Sequence, residues 1–160
     1  MGGPDRSQAS AAFYTRTPVT LERGLELHNR GMIAFDLALG AGALLAPDAT
    51  LRQLGHAAPS DDARELFRRC GPIWLTFAAA HAVAAARGRP EDWWAVAWLR
   101  GTEVFTDALW ARSGAFSEPR SRAVMVGAGV GNLAMALGFG WKASKGGTAP
   151  LCNPPWRARR

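Results

Sequence analysis

The chain has 160 residues, 48% of them hydrophobic, a formal net charge of +6 and a mean hydropathy of −0.07, which is the length of one domain and enough to bury a core. Its basic residues are almost all arginine and are dispersed, with no repeated aromatic platform, so the composition argues against nucleic acid as a partner and for basic loops beside an anionic membrane face. Cys70 and Cys152 form no CxxC and no metal-ligand spacing, which gives no sign of zinc or of a redox compartment.

The charges leave four long apolar windows between them. Residues 1–17, with Gly2, Gly3 and Pro4 among small polar residues, read as a disordered leader without the apolar stretch of a signal peptide. Thr20 is placed to cap a helix beginning at Leu21, which opens a membrane domain over 18–142. The first window, 31–47 (GMIAFDLALGAGALLAP), is interrupted only by Asp36. Ser60 then reads as the cap of a short amphipathic surface helix over 60–69, with acids in its first turn and Arg68 and Arg69 in its last. The second window, 70–86, tolerates Pro72 in a first turn and contains His81. The third, 93–111, carries Arg100, Glu103 and Asp107; the fourth is 123–141, AVMVGAGVGNLAMALGFGW. Residues 143–160, rich in Gly and Pro, read as a flexible tail.

The fourth window contains Gly127-Ala128-Gly129-Val130-Gly131-Asn132, whose spacing invites comparison with a dinucleotide turn. That turn needs a strand before it and an acid about 20 residues beyond it; no strand pattern precedes it and no acid follows Trp141. The same glycines serve helix packing. Gly127 and Gly131 form GxxxG, and Gly138 extends a small-residue face that lets helix backbones approach in a membrane.

At 1.5 Å per residue, windows of this length span roughly 26–29 Å, which suits a thin hydrocarbon core. The sequence therefore predicts an all-α, four-transmembrane-helix bundle, with a soluble four-helix protein, favoured by the near-zero mean hydropathy, as the alternative. With four spans, the leader, the 87–92 loop and the tail share one side and hold more Lys and Arg than the other, so both termini are expected in the cytoplasm.

The third window inserts only with partners, because charges near a bilayer centre cost roughly 2.5–3.5 kcal/mol each. At 100° per residue, Arg100, Glu103 and Asp107 share one face with Trp93. This stripe must point into the bundle, where Arg100 can fork to Glu103 and Asp107 can reach Asp36, His81 or Asn132. Three carboxylates against one guanidinium leave an excess of negative charge: a carboxyl keeps its proton, His81 gains one, or a cationic ligand enters. The site expected from these positions has Arg100, Glu103, Asp107, Asp36 and His81 as acid–base and polarising groups, with Trp74, Trp93 and Asn132 against a substrate. No metal is expected, since the Glu-x-x-His motif of di-iron bundles is absent.

The stretches LLAPDATLRQLG (44–55), RRCGPIW (68–74) and LRGTEVFTDALW (99–110) resemble the small bacterial four-helix membrane proteins grouped with the DoxX-like families, over about residues 30–142. The resemblance implies a multi-pass protein of the cell inner membrane, in families whose roles range from subunits of redox complexes to orphan enzymes. No cofactor is expected: there is no quinone or thiol motif, and a bis-His haem needs two histidines where the windows hold one. Three functions stay open. The first is acid–base isomerisation or cyclisation of a lipophilic small molecule; the second, a non-catalytic subunit docking a partner membrane protein through the helix-four glycines; the third, a proton or cation conduit.

Overall fold

The computed structural model describes residues 20–56, 58–114 and 118–146. Its elements are all helical: α1 (Leu21–Leu45), α2 (Pro47–Gln53), α3 (Asp61–Arg87), α4 (Pro90–Arg112) and α5 (Pro119–Lys145). The expected leader over 1–17, Cys152 and most of the expected tail lie outside the described residues, and α5 runs past the expected boundary at 142.

Local chemistry sets each boundary. Thr20 Oγ1 accepts from the Arg23 amide at 3.3 Å, which starts α1. Pro47, Pro90 and Pro119 each occupy the first turn of their helices, where a missing N–H costs nothing. Gly88 ends α3 in the left-handed region at φ 65°, a conformation that glycine adopts without steric penalty.

One expectation needs correction. Ser60 does cap a helix, its Oγ accepting from the Ala63 amide at 3.2 Å, but that helix is α3 itself, which continues through Pro72 to Arg87. Proline removes one internal hydrogen bond and its ring is accommodated on the exposed side, while Thr76 Oγ1 donates to the Pro72 carbonyl at 2.8 Å. The short helix between the first two long ones is instead α2, stabilised by the i,i+4 pair Arg52–Asp48 at 2.8 Å. Among the described residues, α5 is the one helix long and apolar enough to cross a membrane by length and composition; α1, α3 and α4 have the length but not the apolar average.

The long helices run up and down. Asn29 meets His81 and Gly40 meets Gly71, so α1 and α3 are antiparallel; Trp94 lies beside Gly140 and Asp107 beside Gly129, so α4 and α5 are too. These two pairs pack most extensively, α3 joins them through α4, and α1 touches α5 only lightly. The α1–α3 crossing is tight: a Cβ on Gly40 would sit 2.9 Å from the Gly71 carbonyl oxygen, and one on Gly71 would sit 2.6 Å from Leu44 Cγ. Where α1 does meet α5, Leu25 presses on Gly138 and Lys142 Nζ bridges to Glu26 at 2.8 Å.

Two apolar clusters fill the bundle. One gathers Ala84, Trp93, Val96, Ala97, Phe139 and Ala143; the other gathers Ala43, Leu51, Phe67, Trp74 and Phe77. A polar layer lies between them, since Arg100 stacks on Phe77 of one cluster and His81 on Phe139 of the other. The outside is the reverse of this: Phe35, Leu37, Ile73, Trp98, Phe105, Leu109, Val130 and Leu137 are exposed. Buried polar groups inside and large apolar side chains outside invert the usual arrangement of a water-soluble domain.

Candidate functional site

On α1, Asn29, Met32, Asp36, Gly40 and Ala43 recur at steps of three and four and form its buried stripe. On α4 the corresponding stripe is Trp93, Val96, Ala97, Arg100 and Asp107. These stripes and His81 of α3 bring the polar layer together. Arg100 Nε donates to His81 Nε2 at 2.9 Å, and Arg100 Nη2 pairs with Asp36 Oδ2. Because His81 Nε2 accepts, the ring proton sits on Nδ1, which donates to Asn29 Oδ1 at 2.5 Å. Asn29 Nδ2 returns a bond to the His81 carbonyl at 2.9 Å. His81 is thereby fixed as one neutral tautomer by groups from α1 and α4. Asn29, His81, Asp36 and Arg100 are almost wholly removed from solvent, and a buried ion pair holds only where hydrogen bonds of this kind satisfy it.

One helical turn along α4 the chemistry changes. Asp107 Oδ2 accepts from Asn132 Nδ2 at 2.8 Å, and Glu103 lines the same cavity as Trp74. Neither carboxyl forms an ion pair among the described residues. Arg100 is the cation whose field reaches both, and its contact partner is Asp36.

Glu103, Asp107, Asn132, Trp74 and Arg100 face a cavity of about 230 Å³. Met32, Phe35 and Leu39 of α1 form one wall and Met125, Gly131 and Met135 of α5 the opposite one. The cavity therefore lies in the gap between α1 and α5, which touch only lightly, with the polar groups of α4 as its floor. Its lining is overwhelmingly apolar, with a few convergent polar groups, as ligand pockets are.

Of the residues expected from the sequence, Arg100, Asp36 and His81 come together in the polar layer, and Arg100, Glu103, Asp107, Trp74 and Asn132 share the cavity. The Arg100–Glu103 fork does not form; the guanidinium reaches across to α1 and α3 instead. Trp93 does not line this cavity and is packed into the apolar cluster with Phe139, their rings 5.6 Å apart. Among the expected packing glycines only Gly138 is pressed by a neighbour, whereas a Cβ on Gly127 or Gly131 would meet nothing within 4 Å. The close approaches in the fold use Gly40, Gly71, Gly129 and Gly140, which the GxxxG reading passed over.

Asn29 is the functional-looking residue the sequence reading missed, because the apolar window was started at Gly31. Its signal was the heptad spacing 29–36–43, which places it on the Asp36 face. Among the described residues no three His, Cys, Asp or Glu side chains converge to hold a metal ion. No family model, curated protein or solved structure matches the chain.

Proposed function

We propose that this is a multi-pass protein of the cell inner membrane, of the DoxX-like type, whose cavity binds a lipophilic small molecule and carries out acid–base chemistry on it. A bilayer reading is supported by the exposed apolar girdle and by α5, whose apolar window is only 17% buried within the bundle; the core helix of a soluble protein would bury most of it. In this reading α1, α3 and α4 insert as well, each turning its charged groups inward against partners. The N-terminus of α1 and the C-terminus of α5 lie at one end, where Lys145 Nζ is 3.6 Å from Glu22, in keeping with both termini in the cytoplasm.

The observation that carries the reading is the acidic floor of an apolar cavity set between α1 and α5, whose outward side chains Phe35 and Val130 are themselves exposed and apolar. A molecule dissolved in lipid reaches such a gap without crossing water. Arg100, held by Asp36 and His81, polarises a substrate oxygen; the protonated member of the Glu103–Asp107 pair delivers a proton and the ionised member removes one. An isomerisation done this way is proton-neutral overall. Asp36, His81 and Asn29 act as positioning residues through Arg100.

The test compares lipid extracts of cells expressing the wild type, Glu103→Gln or Asp107→Asn. Equal amounts of each protein in the membrane fraction, with a lipophilic compound accumulating only in the variants, are expected. Indistinguishable extracts from equally folded proteins would end the catalytic reading. A docking subunit is the second reading, favoured by the unfilled space at Gly127 and Gly131. A conduit has less support, because apolar clusters bound the polar layer on both sides.

A further inference from the structure

The charge balance inside the cavity carries more than the presence of a ligand. Arg100 is spoken for: its guanidinium contacts Asp36, His81 and the face of Phe77, 5.4 Å from the ring centroid. Glu103 and Asp107, one turn apart on α4, are left without a cation in contact. Asp107 is 9% exposed, one of its oxygens is held by Asn132, and the other has no donor among the described residues while the side chain lines the cavity. The hydrogen bond to Asp107 comes from the Asn132 amide, a neutral group, so it does not cancel a carboxylate charge. Around the pair stand Trp74, Trp110 and Phe35, whose ring faces attract a cation.

Resting on the reading of this cavity as a ligand site, we infer that its ligand is an amphiphile with a cationic nitrogen, the ammonium seated between Glu103 and Asp107. Its hydrocarbon part lies against Met32, Leu39, Met125 and Met135. An ammonium group satisfies what no residue of the chain supplies, a positive charge with N–H donors beside this pair: it balances the ionised carboxylate and donates to the oxygens of both members, leaving the other free to keep its proton. An anionic lipid headgroup is disfavoured by the same geometry, since it would add like charge to a site already negative.

The inference is tested with three probes that share one apolar cage and differ only in the polar group: 1-aminoadamantane, 1-adamantanol and adamantane-1-carboxylate. Each is titrated calorimetrically into the full chain purified in an uncharged maltoside detergent. Saturable binding of the amine, binding of the alcohol weaker by roughly tenfold or more, and no binding of the carboxylate are expected. Glu103→Gln and Asp107→Asn should each weaken the amine roughly tenfold and change the alcohol less than about twofold. Alcohol binding as tightly as amine would overturn the cationic ligand and leave the lipophilic cavity standing. Absence of binding by both amine and alcohol, with the protein folded, would overturn the cavity reading with it. An amine affinity unchanged in both variants places that probe elsewhere and refutes the assignment to these carboxylates.

Discussion

Replacing Asp36 by Ala isolates the force that holds the polar layer. Asp36 is fully buried and is the one carboxylate in contact with the Arg100 guanidinium, whose other partner is the uncharged His81 Nε2. Without it, a guanidinium that is 2% exposed has no counter-ion in contact. Removing one member of a buried ion pair costs about 3–5 kcal/mol, most of it the stranded charge. For a domain of this size that corresponds to a fall of about 6–20 °C in Tm, read by tryptophan fluorescence on heating the detergent-purified protein. Asp36→Asn keeps an oxygen acceptor for Nη2 but not its charge, and should lie between Asp36→Ala and wild type. The double variant Asp36→Ala/Arg100→Leu removes both charges and should recover most of the loss, though not all, since His81 Nε2 then lacks its donor. A fall below about 2 °C for Asp36→Ala, or simple additivity in the double variant, would show that this pair is not what fixes Arg100.

Three other perturbations probe different parts of the molecule. Gly71→Val should cost about 1–3 kcal/mol in thermal stability, because its Cβ would lie 3.0 Å from the Gly40 carbonyl oxygen and backbone cannot rotate away as the Leu44 side chain can. Gly127→Leu, with nothing within 4 Å of the added Cβ, should leave the stability of the isolated chain within about 0.5 kcal/mol of wild type; a larger loss would mean that the glycine face is already occupied within this fold. The Lys142 ammonium beside Glu26 holds that carboxyl below its ordinary value, so the bridge is intact above the unfolded-state pKa and is lost as pH falls through the lower folded one. Melting curves of the wild type should therefore drop on acidification below the usual carboxylate range, and Glu26→Gln should flatten that drop without removing the contribution of other acids.

How far the site was legible follows from what a sequence encodes along a helix and what it does not. Angular position is readable: the 100° step put Arg100, Glu103 and Asp107 on one face, and they share one cavity. Axial position is not in the angle. Trp93 has the same bearing as Arg100 but sits two turns away, about 10 Å along the axis, which moves it out of the polar layer and into the Phe139 cluster. The Arg100–Glu103 fork failed for a related reason. Neighbours on one helix are visible in sequence, while Asp36, 64 positions away, becomes a neighbour only when α1 packs against the bundle. A fully buried carboxylate then has more to gain from the guanidinium than the half-buried Glu103.

Polarity was likewise an unreliable guide to helix ends. The change from charged to apolar residues near Cys70 suggested two elements, but α3 crosses it unbroken because backbone hydrogen bonds are indifferent to which face is wet. If the other long helices insert as proposed, the same averaging accounts for α5 alone, among the described residues, passing as a candidate span. Hydropathy sums a helix over its whole circumference, so α4 is penalised for Arg100 and Asp107, which it turns inward, and gains no credit for arranging Trp98, Phe105 and Leu109 outward. The inward polar groups of α5 are the uncharged Ser121 and Asn132, and its average survives. For a bundle that encloses its charges, the quantity that governs insertion is the polarity of the outer surface after packing, and a per-helix mean misses it wherever the function lies inside.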